Sequence, residues 1–302
     1  KSQKEHILTR PDSYVGDITP QIDKLWILDE ENNKMIKKEI TYVPGLYKIY
    51  DEIINNARDA TVEDEECDYI KVVINKEENT ISVENNGKGI EIVKHKKHNV
   101  LIPEMIFGEL LTSSNYDDSV KRTTGGRNGF GAKLANIFSK EFTVETVDLE
   151  RLKKFKQTYS NNMSEKTRAS VRSVTSKNPK GYVKITFKPD LEKFGLTELT
   201  DDIVALFKKR VYDISATTDQ KIKVFLNGIK LPINNFKKYL NMYYDESSII
   251  YEEIDNRWQV GVLYMPDNGH EQISYVNSIC TYKGGNHVKY VMDDIIKKLQ
   301  EE

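Results

Sequence analysis

The chain of 302 residues is long enough for one large or two ordinary domains, and a hydrophobic content of 38% is sufficient for a packed core. Its 45 basic and 47 acidic residues leave a net charge of −2, which excludes the overall basic signature of a nucleic-acid-binding domain. Two isolated cysteines, Cys67 and Cys280, favour an intracellular protein over a disulfide scaffold or a zinc site, and no apolar run is long enough to span a bilayer. Because the first residue is Lys1 and no signal peptide follows, we expect part of a longer protein.

The first region of predicted structure begins with a helix over Val43 to Val62, which Pro44 and Gly45 open. Two strand patterns follow, Tyr69 to Ile74 and Thr80 to Asn85, joined by a polar turn. The remaining elements of this region are, in chain order, a helix at Pro103 to Leu111, a polar loop at Thr112 to Gly131, a helix from Ala132, strands at Glu141 to Val147 and Tyr182 to Phe187, a helix at Asp201 to Ile214 and a strand at Lys221 to Leu226. Strands interleaved with helices predict an α/β sandwich.

A polar and basic segment, Ser164 to Gly181, interrupts this region, and its composition is typical of a mobile surface loop. A second pattern of elements begins near Ser247. Its members are strands at Ile249 to Ile254, Arg257 to Met265 and Gln272 to Cys280, then a helix at His287 to Leu299. We therefore place a domain boundary near residues 235–245, with domains of residues 1–240 and 241–302.

The predicted helix DEIINNARDA carries the first candidate chemistry. At about 100° per residue, Glu52, Asn56 and Asp59 share one stripe beside an apolar face. The simplest alternative is a solvated helix face. However, Asn and Asp inside a helix each lower its stability by a few tenths of a kcal/mol relative to Ala, which indicates that these residues serve a purpose other than helix formation. A carboxylate can accept a proton from water, and an amide oxygen four residues away can hold Mg²⁺. The pair therefore suits phosphate hydrolysis.

The stretch NNGKGI, residues 85–90, directly follows a predicted strand. Gly87 and Gly89 allow a sharp turn and the close approach of a flat ligand, and an Asn side chain can satisfy both a donor and an acceptor on a purine edge. Taken alone, the stretch also fits an ordinary hairpin turn.

The glycine-rich stretch TGGRNGFGAK, residues 124–133, leads into a predicted helix, an arrangement that often binds phosphate. It does not match a P-loop, because Ala132, Lys133 and Leu134 follow Gly131 with no hydroxyl for a metal. It does not match a dinucleotide-binding fingerprint either, since Leu134 occupies the third glycine position. On its own the stretch leaves a phosphate site and a structural turn equally open.

The order of these blocks resembles a known family. E-x-x-x-N on a helix, NNGKG after a strand, TSSN and GGRNGFGAK, together with RPDSYVG, MIFGELLTSSNYDD and YVNSICTYKGGNHV, are similar to the N-terminal ATPase region of eukaryotic type IIA DNA topoisomerases, members of the Bergerat-fold ATPases. The resemblance covers nearly the whole chain. It implies an α+β fold, a two-layer α/β sandwich with a mixed sheet, followed in residues 241–302 by the start of a smaller transducer domain.

The resemblance implies ATP and Mg²⁺ as cofactors, with Glu52 as the general base that activates water and Asn56 as a Mg²⁺ ligand. Asn85 would recognise adenine through its amide, and Asp59 and Lys88 would tie the helix to the glycine turn. The other implied contacts, to ribose and phosphate and in the lid over the triphosphate, are Ser113, Ser114, Asn115, Gly126, Arg127, Asn128, Gly129, Phe130, Gly131, Ala132 and Lys133.

The same resemblance implies a nuclear enzyme that forms an ATP-dependent homodimer and, at full length, passes one DNA duplex through another, with no membrane partner. The alternative is a nucleotide-gated clamp or chaperone of the same fold without DNA chemistry, and NSICTYKGGNHV favours the first because the chaperones lack that block. The chain departs from the family at Arg58 and Ala60, within NARDA, and contains no Gln-Thr-Lys tripeptide, with which the family completes its site.

Overall fold

A computed structural model describes residues 2–96, 98–110, 130–244, 248–255, 257–266 and 269–301. The α-helices in these ranges are α1 (Gln3–Thr9), α2 (Pro44–Glu63), α3 (Ile102–Gly108), α4 (Gly131–Ile137), α5 (Asp201–Thr217), α6 (Phe236–Leu240) and α7 (Asn286–Glu301). The strands are β1 (Gln21–Asp29), β2 (Lys34–Tyr42), β3 (Tyr69–Asn75), β4 (Thr80–Asn86), β5 (Ser139–Asp148), β6 (Lys153–Ser160), β7 (Glu165–Lys166), β8 (Ser170–Ser173), β9 (Tyr182–Pro189), β10 (Lys223–Leu226), β11 (Ile229–Lys230), β12 (Ile250–Ile254), β13 (Trp258–Val262), β14 (Tyr275–Val276) and β15 (Ile279–Cys280).

The centre of the fold is one mixed sheet with the strand order β11-β10-β3-β4-β9-β5-β6-β7, in which β8 also pairs with β6. Strand β10 runs parallel to β3, and the other pairings are antiparallel. Helix α2 packs between α4 and α5 and contacts β3, β4 and β9. The predicted α+β class, with a helical layer on a mixed sheet, is confirmed.

Helix α2 forms because Pro44 occupies its first turn and an apolar stripe faces the sheet. Ile49, Ile53 and Ile54 on this helix are buried. Tyr50 stacks on Phe207 of α5 at 4.2 Å between ring centroids, and its hydroxyl donates a hydrogen bond of 2.9 Å to the Phe207 carbonyl. These contacts fix α2 against both the sheet and α5.

Two expectations need correction. The segment predicted as a mobile loop, Ser164 to Gly181, contains β7 and β8, which pair with the backbone of β6. The strand predicted at Gln272 to Cys280 is instead the hairpin β14–β15, because Asn277 and Ser278 take positive φ angles of 49° and 65° and turn the chain. No helix within the described ranges is long and apolar enough to cross a membrane.

Candidate functional site

One side of α2 carries the predicted base and metal ligand. Glu52 is partly exposed and Asn56 is exposed, one turn apart on the same stripe. Lys48, one turn before Glu52, forms an ion pair with its carboxylate. Burial lowers the pKa of Lys48, but the charge and the hydrogen bond of Glu52 together outweigh burial, so the pKa is raised overall. The Glu52 carboxylate is therefore accessible to solvent and held in place by a cation.

The first residue of α4 lies against this carboxylate. A Cβ atom added at Gly131 would lie 2.6 Å from Cδ of Glu52, much closer than non-bonded carbon atoms approach. Only glycine fits there without moving Glu52. The predicted base and the end of the predicted lid, which are far apart in the sequence, thus meet in the fold.

Lys133 lies two residues further along α4 and is 1% exposed. Burial lowers the pKa of Lys133 to about 8, against the raising influence of the Glu109 carboxylate. Its Nζ is 6.0 Å from the centroid of the half-buried Phe130 ring, while Ala132 is buried. A desolvated ammonium of this kind gains protonation free energy when an anion approaches.

Asn85 occupies a position on β4 where the alternation of the strand requires a side chain that faces the core. Ile81, Val83 and Asn85 are all buried, whereas the residues between them are partly exposed. The Asn85 Nδ2 donates a hydrogen bond of 3.0 Å to the Asn86 carbonyl and lies 4.0 Å from the sulfur of Cys67. Because a carbonyl can only accept, the amide nitrogen must face Asn86, which turns Oδ1 the other way.

The turn after β4 is held by hydrogen bonds to neighbouring elements. Gly87 and Gly89 have φ angles of 120° and 75°, which favour glycine. The Lys88 N–H donates a hydrogen bond of 2.6 Å to Asp64, the C-cap of α2, and the Ile90 N–H donates one of 3.0 Å to Thr146 Oγ1. The turn is thereby fixed to the end of α2 and to β5.

These contacts correct the predicted pair of Asp59 and Lys88. The side chain of Lys88 is exposed, and its ammonium forms no ion pair with Asp59. Asp59 instead pairs with Arg58 at 3.3 Å. The tie between the helix and the glycine turn exists, but it joins the Asp64 carboxylate to the backbone of residue 88.

The remaining predicted contacts, Ser113, Ser114, Asn115, Gly126, Arg127, Asn128 and Gly129, lie outside the described residues. No group of three or more His, Cys, Asp or Glu side chains in the described ranges is arranged to hold a metal ion. A single exposed amide oxygen at Asn56 fits Mg²⁺, which usually keeps several waters and binds substrate phosphates. The donor set therefore suits a metal that arrives with a phosphate ligand.

Sequence reasoning missed three residues that shape this site. Lys48 was readable, because a Lys four residues before a Glu on a helix indicates an ion pair. Asp64 lies in the acidic run EDEE, which is typical of a solvated surface. Thr146 gave no signal, since its role depends on the pairing of β5 beside the glycine turn.

Comparisons with known proteins identify the family of the chain. Residues 41–193 match the family model described as "Histidine kinase-, DNA gyrase B-, and HSP90-like ATPase". The ATPase region of Saccharomyces cerevisiae topoisomerase II has a TM-score of 0.94 and 51% identity, over 100% of this chain and 79% of that chain. The ATPase and transducer domains of DNA topoisomerase II from Balamuthia mandrillaris have a TM-score of 0.93 and 44% identity, over 99% of this chain and 76% of that one.

Among curated proteins, DNA topoisomerase 2 of Acanthamoeba polyphaga mimivirus is 50% identical over 310 residues, which cover 99% of this chain and 24% of the relative. The chain thus spans about a quarter of the length of this relative, and the structural likeness is to an ATPase region.

Proposed function

The chain belongs to the histidine kinase-, DNA gyrase B- and HSP90-like ATPases and, within them, to the ATPase regions of type II DNA topoisomerases, and from that premise we propose that residues of α2, β4 and the start of α4 bind Mg²⁺-ATP and hydrolyse it. One observation carries the proposal. The Gly131 backbone lies against the Glu52 carboxylate on the same face of α2 as Asn56, so a base, a metal ligand and the end of a glycine-rich segment converge on one edge of the fold.

In this proposal Glu52 accepts a proton from the water that attacks the terminal phosphate. Asn56 supplies an amide oxygen to Mg²⁺, and the ion neutralises phosphate charge when it is bound. Lys133 adds a positive charge near the phosphates, and the cost of its burial falls when an anion is present. The positions of Glu52 and Asn56 on α2 and of Lys133 near the start of α4 support these roles.

Asn85 is proposed as the adenine contact. Its Nδ2 is committed to the Asn86 carbonyl, and no described residue donates to its Oδ1. The exocyclic amine of adenine is a donor, so it complements this oxygen, whereas guanine presents a carbonyl at the same ring position. The arrangement therefore selects adenine over guanine.

We further propose that residues 1–240 and 241–302 are the ATP-binding domain and part of a transducer domain. At full length, nucleotide-dependent homodimerisation would couple hydrolysis to the passage of one DNA duplex through another in the nucleus. The similarity of nearly the whole chain to topoisomerase ATPase regions supports this reading.

Asn85→Ala tests the site, with Asn86→Ala as the matched control. The Asn86 Oδ1 accepts hydrogen bonds from the Asp68 and Tyr69 N–H groups, so its loss should lower stability without altering base selectivity. We expect Asn85→Ala to reduce the preference for ATP over GTP about tenfold, the value of one buried hydrogen bond. Equal ATP and GTP affinity in the unaltered protein would refute the proposed site.

Relaxation of supercoiled plasmid by the full-length protein tests the DNA role. We expect relaxation only when both ATP and Mg²⁺ are present. ATP hydrolysis without any relaxation would favour the nucleotide-gated clamp instead.

A further inference from the structure

Arg210 of α5 is completely buried, although it carries a full charge. Its Nε donates a hydrogen bond of 2.6 Å to Asp51, and its Nη2 donates to the Asn55 Oδ1 at 2.7 Å, both on α2. The same Nη2 donates to the Ser278 carbonyl at 2.8 Å, in the turn of the β14–β15 hairpin. One guanidinium thus connects three separate parts of the chain.

The α2 residues that Arg210 contacts are the immediate neighbours of the proposed catalytic pair. Asp51 and Asn55 precede Glu52 and Asn56 by one residue each. On a helix, that step rotates the side chain by about 100°, so the two pairs form adjacent stripes on one rigid cylinder. Any rotation of the buried stripe therefore moves the stripe that carries Glu52 and Asn56.

The lever is short. Side chains extend the helix to a radius of about 5–6 Å, so a rotation of about 10° moves the Glu52 carboxylate by about 1 Å. A misplacement of this size can cost about 10²-fold in rate. Holding the rotation of α2 is thus a requirement for positioning the base.

The β14–β15 hairpin, which Arg210 contacts through Ser278, is also held by hydrogen bonds to other elements. Ser278 is buried, and its hydroxyl donates a hydrogen bond of 3.0 Å to the Thr217 carbonyl at the end of α5. Tyr275 in the same hairpin lies 2.9 Å from the Tyr239 hydroxyl and 3.3 Å from Lys209 Nζ. The hairpin is therefore attached to α5 and α6, and Arg210 extends that attachment to α2.

The guanidinium also has a second position within reach. Its Nη1 makes no hydrogen bond to any described residue and lies 3.9 Å from Asp213 Oδ2. A shift of about 1 Å would complete that bond. If the hairpin moves, the Arg210 guanidinium therefore has a nearby alternative arrangement, in which it holds α2 differently.

We propose that Arg210 is a positioning residue, which sets the rotation of α2, and hence the place of Glu52, according to the position of the β14–β15 hairpin. The effect on catalysis by Glu52 rests on the proposed ATPase function. The physical link between the hairpin and α2 does not. Arginine is suited to the role because its planar fork can bond two or three acceptors at once, which the single ammonium of lysine cannot do with the same geometry.

Amide hydrogen exchange tests the link without nucleotide, in the full-length protein. Asn55→Ala removes an acceptor of Arg210, whereas Asn56→Ala changes the same residue type one position away, where no contact with Arg210 exists. We expect exchange at residues 275–280 to rise at least about tenfold in Asn55→Ala and to stay unaltered in Asn56→Ala. Unaltered hairpin exchange in Asn55→Ala would overturn the proposal.

Kinetics tests the consequence. Arg210→Lys keeps the charge but loses the fork, and we expect kcat to fall at least about tenfold while the affinity for a non-hydrolysable ATP analogue changes less than about threefold. Tyr239→Phe weakens the hairpin contacts from the other side and removes no contact with α2, so we expect a smaller fall in kcat in the same direction. Parallel losses of kcat, affinity and melting temperature would indicate a structural role only and would refute the positioning role.

The exchange and kinetic experiments also test this inference and the proposed function separately. A protein that hydrolyses no ATP refutes the function, while the exchange experiment still decides whether Arg210 links the hairpin to α2.

Discussion

Helix α2 carries the same pattern twice, one residue apart: an acid followed four positions later by Asn. Asp51 and Asn55 form the first pair, and Glu52 and Asn56 form the second. The first pair is buried against Arg210, whereas Glu52 is partly exposed and Asn56 is exposed. Residue type and spacing are nearly identical, so the partner and the burial decide which pair holds the fold and which pair is available for chemistry.

The partners differ in what they contribute. Lys48 pairs with Glu52 at an accessible edge, where an ion pair is worth about 0–1 kcal/mol. The cation opposite Asp51 is fully buried, and removing one member of such a pair leaves an uncompensated charge. A carboxylate that is weakly held can exchange protons with a substrate, and one that is strongly held positions its helix.

The largest expected effect is on turnover. Glu52→Gln removes the proposed base, so kcat should fall about 10²- to 10⁴-fold, whereas ATP affinity should stay nearly constant because a base acts in the transition state. Steady-state hydrolysis and equilibrium nucleotide binding measured on the same preparation check this. If turnover survives the substitution, Glu52 is not the base, and the proposed functional difference between the two pairs is wrong.

The next effect concerns stability and acts on the other pair. Asp51→Ala should lower the free energy of unfolding by about 3–5 kcal/mol, because the Arg210 charge is left buried without its partner. Glu52→Ala, one residue away, should change it by only about 0.5 kcal/mol, as is usual for surface substitutions. Urea denaturation of both variants gives the comparison, and similar losses in the two would contradict the assignment of one pair to the fold.

Much of the fold was predictable because the information is local. The alternation of buried residues on β3 and β4 identifies both strands, and Asn85 is conspicuous in the sequence as an amide where an apolar residue is expected. Helix α2 was predicted to within one residue at each end. A candidate base and metal ligand on that helix follow from the same periodicity.

The Arg210 contacts could not be predicted. The sequence KKR within α5 is typical of a solvated face, yet Lys209 and Arg210 are buried. Their partners lie in α2 and in the β14–β15 hairpin, and no local pattern reports a contact between positions so far apart in the sequence. The role of Asp64 is hidden for the same reason, because only the fold brings the glycine turn to the end of α2.

A smaller effect separates the two Asn residues. Asn56→Ala should weaken ATP binding in the presence of Mg²⁺ by at least about tenfold and leave the metal-free affinity unaltered, because only the metal contact is lost. Asn55→Ala should keep the full dependence on Mg²⁺, since its side chain faces Arg210. Titrations with and without the metal decide the matter, and a Mg²⁺ effect that persists in Asn56→Ala would remove this ligand from the proposal.

The smallest expected effect is on the pH dependence of binding, and it extends the comparison to a third buried charge. Lys133 differs from Arg210 because burial lowers its pKa to about 8. If phosphate binds near it, the bound state favours the protonated ammonium, so the pKa in the complex lies above that of the free protein. Affinity should be constant below pH 8 and fall as the pH rises through about 8, by at most about tenfold per pH unit until the pKa of the complex is reached.

The nucleotide phosphates are fully ionised over this range, since their last pKa is near 6, so they add no slope of their own. Lys133→Met should bind ATP more weakly at pH 7.5 and show a flat profile up to pH 9.5. Binding isotherms of both proteins at several pH values check the slope. A flat profile in the unaltered protein would show that the Lys133 charge does not respond to the nucleotide, and Lys133 would then be a buried cation that serves the fold alone.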